Sequence, residues 1–265
     1  MPHLPIRGAV LSVSAPEALA PMRIAILSDV HANLEALAAV EAAVGALRVD
    51  RVVCLGDVVG YGASPAACCE RVRALAAVTL LGNHDAAVAG RMDYGYYYQA
   101  AREALDWTAR HVGDADLAWL RSLPYTHRDG DVGFSHGSPV NPSEYDYVFA
   151  AEQVRELARH FTQLAPVTFI GHSHLCKAFA LNERGDVEQV VGRRVDLDPA
   201  RKYVLSVGSV GQPRDYDNRA AFVTFDLDRR VVEYHRVPYD VAAAAQRIFD
   251  AKLATNFGRR LFLGV

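Results

Sequence analysis

Residues 23–31 read Arg23-Ile24-Ala25-Ile26-Leu27-Ser28-Asp29-Val30-His31. A short apolar run that stops at Ser28-Asp29 has the pattern of a buried strand with a polar carboxyl end. The same grammar returns twice: residues 51–55 lead into Gly56-Asp57, and residues 77–81 lead into Gly82-Asn83-His84-Asp85. Between these runs lie segments rich in helix formers, residues 32–47 and 65–75. The second has Ser64 at the N-cap position and Pro65 in the first turn. Alternation of strand and helix specifies an α/β fold. Ligands of open α/β sheets bind outside the carboxyl ends of the strands, so polar residues at three successive strand ends are expected to converge.

Farther along, the pattern is less regular. Residues 94–111 read as a helix containing Tyr96-Tyr97-Tyr98, assigned to helix packing or an oligomer contact. A helix at 116–123 stops at Pro124, and a strand at 132–134 leads into Ser135-His136-Gly137. A helix at 150–161 precedes a strand at 167–170 and the sequence Gly171-His172-Ser173-His174. The tail offers strands near 203–207, 221–225 and 231–236 and a last helix at 241–253. With no repeat and no clear linker, residues 22–265 read as a single domain and residues 1–21 as a disordered N-terminal extension. The apolar stretch of that extension is short and broken by Ser12 and Ser14, which makes a poor signal peptide.

Composition narrows the function classes. The 265 residues are 51% hydrophobic, enough for a sizeable core. Net charge is −3 and no basic run occurs, which argues against long nucleic acid as a partner. No apolar stretch approaches the roughly 20 residues that span a bilayer. Cys54, Cys68, Cys69 and Cys176 form no CxxC pair and read as reduced thiols of a cytoplasmic protein. Cys176, close to a His-rich motif, leaves a thiolate ligand open.

Five motifs carry chemistry: Asp29-Val30-His31, Gly56-Asp57-Val58-Val59-Gly60, Gly82-Asn83-His84-Asp85, His136 after Phe134-Ser135, and Gly171-His172-Ser173-His174. Singly, each has a structural reading as well, since Gly, Asn and Asp populate turns for their own reasons and a lone His is often a satisfied core residue. Jointly they are more specific. Five of the ten histidines fall in these motifs, and each motif follows a strand-like run. Mixed carboxylate, imidazole and amide donors suit divalent metals such as Mn, Fe, Zn, Co or Ni. The set is large enough for two ions, with Asp57 as the natural bridge, and such a pair activates water and stabilises phosphoryl displacement.

In this order the motifs resemble those of the calcineurin-like metallophosphoesterases: D-x-H, G-D-x-x-G, G-N-H-D, a lone H and G-H-x-H. The resemblance runs from Met22 to the C-terminus. It implies a four-layer α/β/β/α sandwich with two mixed β-sheets and two divalent ions, Mn or Fe favoured. It assigns Asp29, His31, Asp57 and His174 to one ion, and Asp57, Asn83, His136 and His172 to the other. A hydroxide bridging the ions is the implied nucleophile. His84, oriented by Asp85, stabilises the transition state or protonates the leaving oxygen.

A finer resemblance is to small bacterial phosphodiesterases and dinucleoside polyphosphate hydrolases. It rests on Gly60-Tyr61-Gly62, on His136-Gly137-Ser138-Pro139 and on residues 208–215, Gly-Ser-Val-Gly-Gln-Pro-Arg-Asp. Ser206-Val207 stand where such relatives commonly have Asn-Pro. The implied substrate is small, phosphorylated and nucleotide-like. Arg214 is its candidate phosphate contact, unless it pairs with Asp215 or Asp217. Tyr61, Tyr145, Tyr147 and Tyr216 are candidate base contacts. A phosphoprotein phosphatase and a catalytically silent metal-binding scaffold are the competing readings.

Overall fold

A computed structural model describes residues 22–265, so the expectation for residues 1–21 lies outside the described residues. One six-stranded sheet has the order β3 (Val78–Thr79), β2 (Arg51–Cys54), β1 (Arg23–Leu27), β11 (Ala220–Asp226), β12 (Val231–Val237), β9 (Arg194–Asp196). The second has the order β4 (Thr126–Asp129), β5 (Val132–Ser135), β6 (Val167–Ile170), β10 (Lys202–Val207), β7 (Cys176–Leu181), β8 (Val187–Val190). Both sheets are mixed. In the first, β1, β2 and β3 run parallel while β1 meets β11 antiparallel. In the second, β5, β6 and β10 run parallel while β10 meets β7 antiparallel.

The two sheets pack face to face. Ile24, Ile26, Val53, Leu55, Leu80, Val223 and Phe225 of the first meet Phe134, Val167, Phe169, Ala178, Leu205 and Val207 of the second in one buried cluster. The opposite face of β1, Ala25 and Leu27, packs under α1 (Leu34–Ala46) and α2 (Pro65–Leu75). That two-sided burial is why the run at residues 23–27 is uninterrupted rather than alternating. On the far side, Ile170, Phe179, Leu181 and Val204 pack under α6 (Ala151–Ala158). Helix, sheet, sheet and helix therefore stack as four layers, as the motif resemblance implies.

Several sequence expectations are corrected. Residues 94–98 are not helical: Gly95 N–H closes on Asp93 Oδ1 at 2.8 Å, a local turn, and the helix α4 (Gln99–Ala109) starts afterwards. Residues 83–85 form the first turn of a short helix, α3 (Asn83–Val88), rather than a loop. Ser64 precedes α2 but makes no side-chain capping bond. The helices α5 (Asp114–Ser122) and α7 (Val241–Asp250) match the sequence reading closely. The strands β4, β7, β8 and β9 and the helix α8 (Thr255–Leu263) were not anticipated. β4 and β8 are largely solvent-facing edge strands with polar sequences, and β7 carries Ala178 and Ala180, which are weak strand formers. α8 is held by tertiary packing, since Phe257 and Leu261 bury against Ala245 and Ile248 of α7.

Phe169 tests the sheet-to-sheet core. It is fully buried, 5.9 Å from the Phe134 ring and 5.5 Å from the Phe225 ring across the interface. Phe169→Ala is expected to lower unfolding free energy by about 3–5 kcal/mol, read from the urea midpoint. A loss below about 1 kcal/mol would mean that the sheets do not depend on this contact.

Candidate metal centre

The parallel strands of both sheets deliver the motifs to one rim. Asp29 and His31 follow β1, Asp57 follows β2, and Asn83 opens α3 after β3. His136 follows β5, and His172 and His174 follow β6. All seven side chains are nearly excluded from solvent. The chain leaves the strands abruptly. Asp29, His31, Asp57, His172 and His174 have φ between 48° and 63°, the left-handed region that non-glycine residues rarely occupy. Such strain persists only where surrounding structure over-determines it. Here the first two loops are bonded together: Asp29 N–H donates to Gly56 O at 3.0 Å, and His31 N–H to Asp57 O at 2.9 Å. Gly82 must lack a side chain, because a Cβ there would lie 2.1 Å from Asp57 Oδ1.

The hydrogen bonds fix which nitrogen of each ring faces inward. His31 Nδ1 meets Val59 O at 3.1 Å, His136 Nδ1 meets Leu55 O at 3.0 Å, and His174 Nδ1 meets Gln212 O at 2.6 Å. A carbonyl only accepts, so each Nδ1 carries the proton and each Nε2 of a neutral ring is a lone pair. Those lone pairs face other acceptors. His31 Nε2 lies 3.1 Å from His174 Nε2, and His136 Nε2 lies 3.1 Å from Asn83 Oδ1. A cation placed between such pairs relieves their repulsion, which makes these gaps candidate cation positions.

Burial, the largest influence on His31 and on His174, pushes both pKa values down and disfavours a proton as that cation. Burial, the largest single influence, acts against a second proton on His136, but Asp57 together with Asp29 and Asp85 outweighs it and holds this ring up at about 9. The His136 gap can therefore hold a proton or a metal, whereas the His31–His174 gap is suited to a metal.

The carboxylates complete the arrangement. Asp29 Oδ2 accepts the His172 N–H at 3.0 Å, and Asp57 Oδ1 accepts the His84 N–H at 2.8 Å. Their other oxygens turn toward the rings. Asp29 Oδ1 is buried without a hydrogen-bond partner, 3.3 Å from His174 Nε2. Asp57 Oδ2 lies 3.6 Å from His31 Nε2 and 3.4 Å from His136 Nε2, between the two groups. Three sets of donor atoms lie within 4.8 Å of one another: Asp29, His31 and His174; His31, Asp57 and His84; and Asp57, His136 and His172. This buried, anionic, lone-pair-rich donor set fits divalent cations.

His84 differs from the other rings. Its Nδ1 is buried and has no partner among the described residues, and no carbonyl of theirs fixes its tautomer. The expected orientation by Asp85 does not occur. Asp85 Oδ1 accepts the Val59 N–H at 3.1 Å and Oδ2 the Gly82 N–H at 3.2 Å, so this carboxylate caps α3 and ties it to the second loop. The His84 ring is seated instead by packing, 4.4 Å from the Tyr61 ring and 4.9 Å from the His31 ring. Gly60 leaves the space, since a Cβ there would meet His84 Nδ1 at 2.3 Å. Burial, the largest influence, holds His84 neutral with a pKa near 4.

A cavity of about 460 Å³ opens over these residues. Asp57, Asn83, His84, His172 and His174 form part of its lining, with Arg214 and the tyrosines 61, 96, 97, 98, 145 and 147 around them. Tyr96, Tyr97 and Tyr98 therefore belong to the site, contrary to their sequence assignment to helix packing or an oligomer contact. Tyr147 stacks on His172 at 3.9 Å between ring centroids. Tyr216 is 87% exposed and does not line the cavity.

Arg214 does not pair with Asp215 or Asp217, which instead engage Arg236 and, for Asp217, Arg219. Among the described residues no carboxylate lies within ion-pair distance of Arg214. It donates to Gln212 Oε1 at 2.9 Å, and its buried Nε has no partner. Cys176 stands apart from the three donor sets, with Arg236 donating toward its sulfur at 3.2 Å.

The backbone carbonyls of Leu55, Val59 and Gln212 are functional groups that sequence reading missed. A carbonyl is present at every residue, so no residue type could have revealed them. Residues 208–215 owe their place to this bracing: Ser209 Oγ donates to Asp29 O at 2.8 Å, and Gly211 N–H donates to the same oxygen at 2.9 Å.

Comparison with known proteins agrees with this geometry. A family model for the calcineurin-like phosphoesterase superfamily domain matches residues 22–230. An uncharacterised protein of Methanocaldococcus jannaschii, MJ0912, is 36% identical over 245 residues, covering 91% of this chain and 98% of its own. A metallophosphoesterase from Sphaerobacter thermophilus superposes with a TM-score of 0.79 at 38% identity, covering 93% of this chain and 100% of that one. The hypothetical protein PH1004 from Pyrococcus horikoshii shares the fold, with a TM-score of 0.72 at 19% identity and coverage of 92% and 99%. The chain thus belongs to the calcineurin-like phosphoesterase superfamily and is a metal-dependent hydrolase of phosphoric esters.

Proposed function

We propose that the protein hydrolyses phosphodiester or phosphoanhydride bonds of a small, nucleotide-like substrate at a dinuclear metal centre. The observation that carries this reading is the opposition of lone pairs, His31 to His174 and Asn83 to His136, with Asp57 between the two gaps. One divalent ion, Mn or Fe by preference, is assigned to Asp29, His31, Asp57 and His174. The other is assigned to Asp57, Asn83, His136 and His172. Bound ions of this kind lower the pKa of a water and polarise a phosphoryl oxygen.

The remaining roles belong to the chain. His84 faces the cavity as a neutral ring whose N–H hydrogen-bonds the phosphoryl group; it passes a proton to the leaving oxygen only after taking one up as imidazolium. Asp85 holds α3, and with it Asn83 and His84, against the second loop. Arg214, with no carboxylate within ion-pair distance among the described residues, offers its guanidinium to a phosphate oxygen. Support for a nucleotide-like leaving group comes from the cavity, which exceeds the needs of a phosphoryl group and is rimmed by tyrosines. Tyr96, Tyr98 and Tyr147 are 74%, 53% and 48% exposed, and aromatic faces accept any base. The four cysteines are free, which supports a cytoplasmic site of action. No described helix is long and apolar enough to cross a membrane.

The test is a panel assayed with Mn: bis-p-nitrophenyl phosphate, p-nitrophenyl phosphate, 2′,3′-cyclic AMP, diadenosine polyphosphates and a phosphopeptide. Turnover of a diester or dinucleoside polyphosphate is expected. Turnover of the phosphopeptide alone would make the protein a phosphoprotein phosphatase, and no turnover of any of them would overturn the proposed substrate class. Asp57→Asn is expected to abolish turnover and weaken both ions, measured by calorimetric Mn titration; two unchanged binding steps would remove Asp57 from the bridge. His84→Ala should keep both ions while kcat falls by about 10²–10⁴. Loss of an ion from this variant would instead make His84 a ligand, as its proximity to His31 and Asp57 allows.

A further inference from the structure

Asn83 is the weakest donor among the proposed ligands, a neutral amide on a single rotatable bond. Its usefulness depends on which end of the amide faces the metal gap. Asn83 Oδ1 faces His136 Nε2 at 3.1 Å, and on the other side Asn83 Nδ2 donates to the Tyr97 hydroxyl at 2.7 Å. That phenol oxygen is the hydrogen-bond acceptor for Asn83 Nδ2 among the described residues.

Tyr97 is itself firmly mounted. Its N–H donates to Tyr94 O at 3.0 Å, and the Tyr94 hydroxyl is bonded to Asp106 of α4 at 2.6 Å. Arg102 of α4 reaches back to Gly95 O at 2.9 Å. The turn at residues 93–98 is thus pinned to α4, and the Tyr97 ring, half-buried, packs edge-on to Tyr96 at 4.9 Å.

We infer that Tyr97 is a positioning residue for the metal centre: its hydroxyl accepts the Asn83 amide N–H and thereby holds Asn83 Oδ1 toward the gap shared with His136 and Asp57. The inference rests on Asn83 serving as a ligand, as proposed above. With Asn83 Nδ2 donating, the phenol's own proton is directed away from the amide. Removing the hydroxyl leaves Asn83 Nδ2 unpaired in a buried place and frees the amide to turn. Only the ion assigned to Asp57, Asn83, His136 and His172 feels that change.

The experiment compares Tyr97→Phe, Asn83→Ala and the double variant by calorimetric Mn titration of the full chain, with circular dichroism and thermal melting to confirm folding. Tyr97→Phe is expected to weaken one of the two Mn sites by about 10–100-fold and leave the other unchanged. Its lost activity should return with excess Mn. Asn83→Ala should weaken the same site, and the double variant should lose no more than Asn83→Ala alone, because the two residues act through one contact. Two wild-type binding steps in Tyr97→Phe, with Asn83→Ala impaired, would overturn the inference while leaving the ligand assignment standing. Two wild-type steps in Asn83→Ala would overturn both. Weakening of both sites in a folded Tyr97→Phe would also overturn it, since a general structural role would then account for the loss.

Discussion

Two acceptors 3.1 Å apart cannot be neighbours in a low-dielectric interior unless positive charge separates them. The rim of this protein holds two such pairs, His31 with His174 and Asn83 with His136. Nearly everything else at the site serves to keep them opposed. The backbone carbonyls of Val59, Leu55 and Gln212 bind the outer nitrogens, so the inner nitrogens have no proton to share when the rings are neutral. The backbone amides of His172 and His84 each take one oxygen of Asp29 and Asp57, so each carboxylate keeps its other oxygen for the cation. Because this geometry does not exist in an unfolded chain, cation binding adds to the stability of the fold.

The fold makes that constraint tolerable. Six parallel strands, three from each sheet, end at one rim, and the two sheets are joined by a common apolar core. The candidate ligands therefore stand on strand ends whose separation is fixed by sheet packing rather than on free loops. The backbone then turns sharply at Asp29, His31, Asp57, His172 and His174, each in the left-handed region at a cost of order 1–3 kcal/mol. Bonds between loops hold this strain: the first motif to the second, and residues 209–212 to the first. A donor set drawn from five separate segments is thus locked without a dedicated cage.

Much of this was legible in the sequence, and the limits have physical causes. The runs before Asp29, Asp57 and His172 are apolar and buried on both faces, so they announce themselves as strands, and the polar residues after them announce a site. Edge strands such as β4 and β8 have no buried face to write into their sequence. The role of Asp85 was misread because adjacency in sequence suggested a side-chain pair with His84. In a helix, neighbouring side chains diverge, and position three of α3 points back to the backbone amide at the helix start. The Tyr96–Tyr98 run was misread for a similar reason. Helical periodicity was extended through Gly95, where the chain turns instead and carries the tyrosines over the cavity.

The charge distribution connects the site to its substrate. The chain is net negative at −3, yet in the proposed dinuclear form two dications outweigh Asp29 and Asp57, and Arg214 adds a cation with no carboxylate within ion-pair distance among the described residues. The histidines contribute lone pairs but no negative charge, so they bind metal without cancelling it. In that form an anionic phosphate is drawn to a local positive field inside a molecule of net negative charge. Beyond that field the cavity wall is largely aromatic, with Glu144 and Asp146 as its carboxylates, so in the proposed function it offers π-faces to a base rather than a site for a second phosphate. Reaction class follows from the strand-end ligands, which the folding pattern dictates. In the proposed function, substrate choice rests on the exposed tyrosines Tyr96, Tyr98 and Tyr147, whose places no periodicity sets, whereas Tyr97 of the same turn is tied to Asn83.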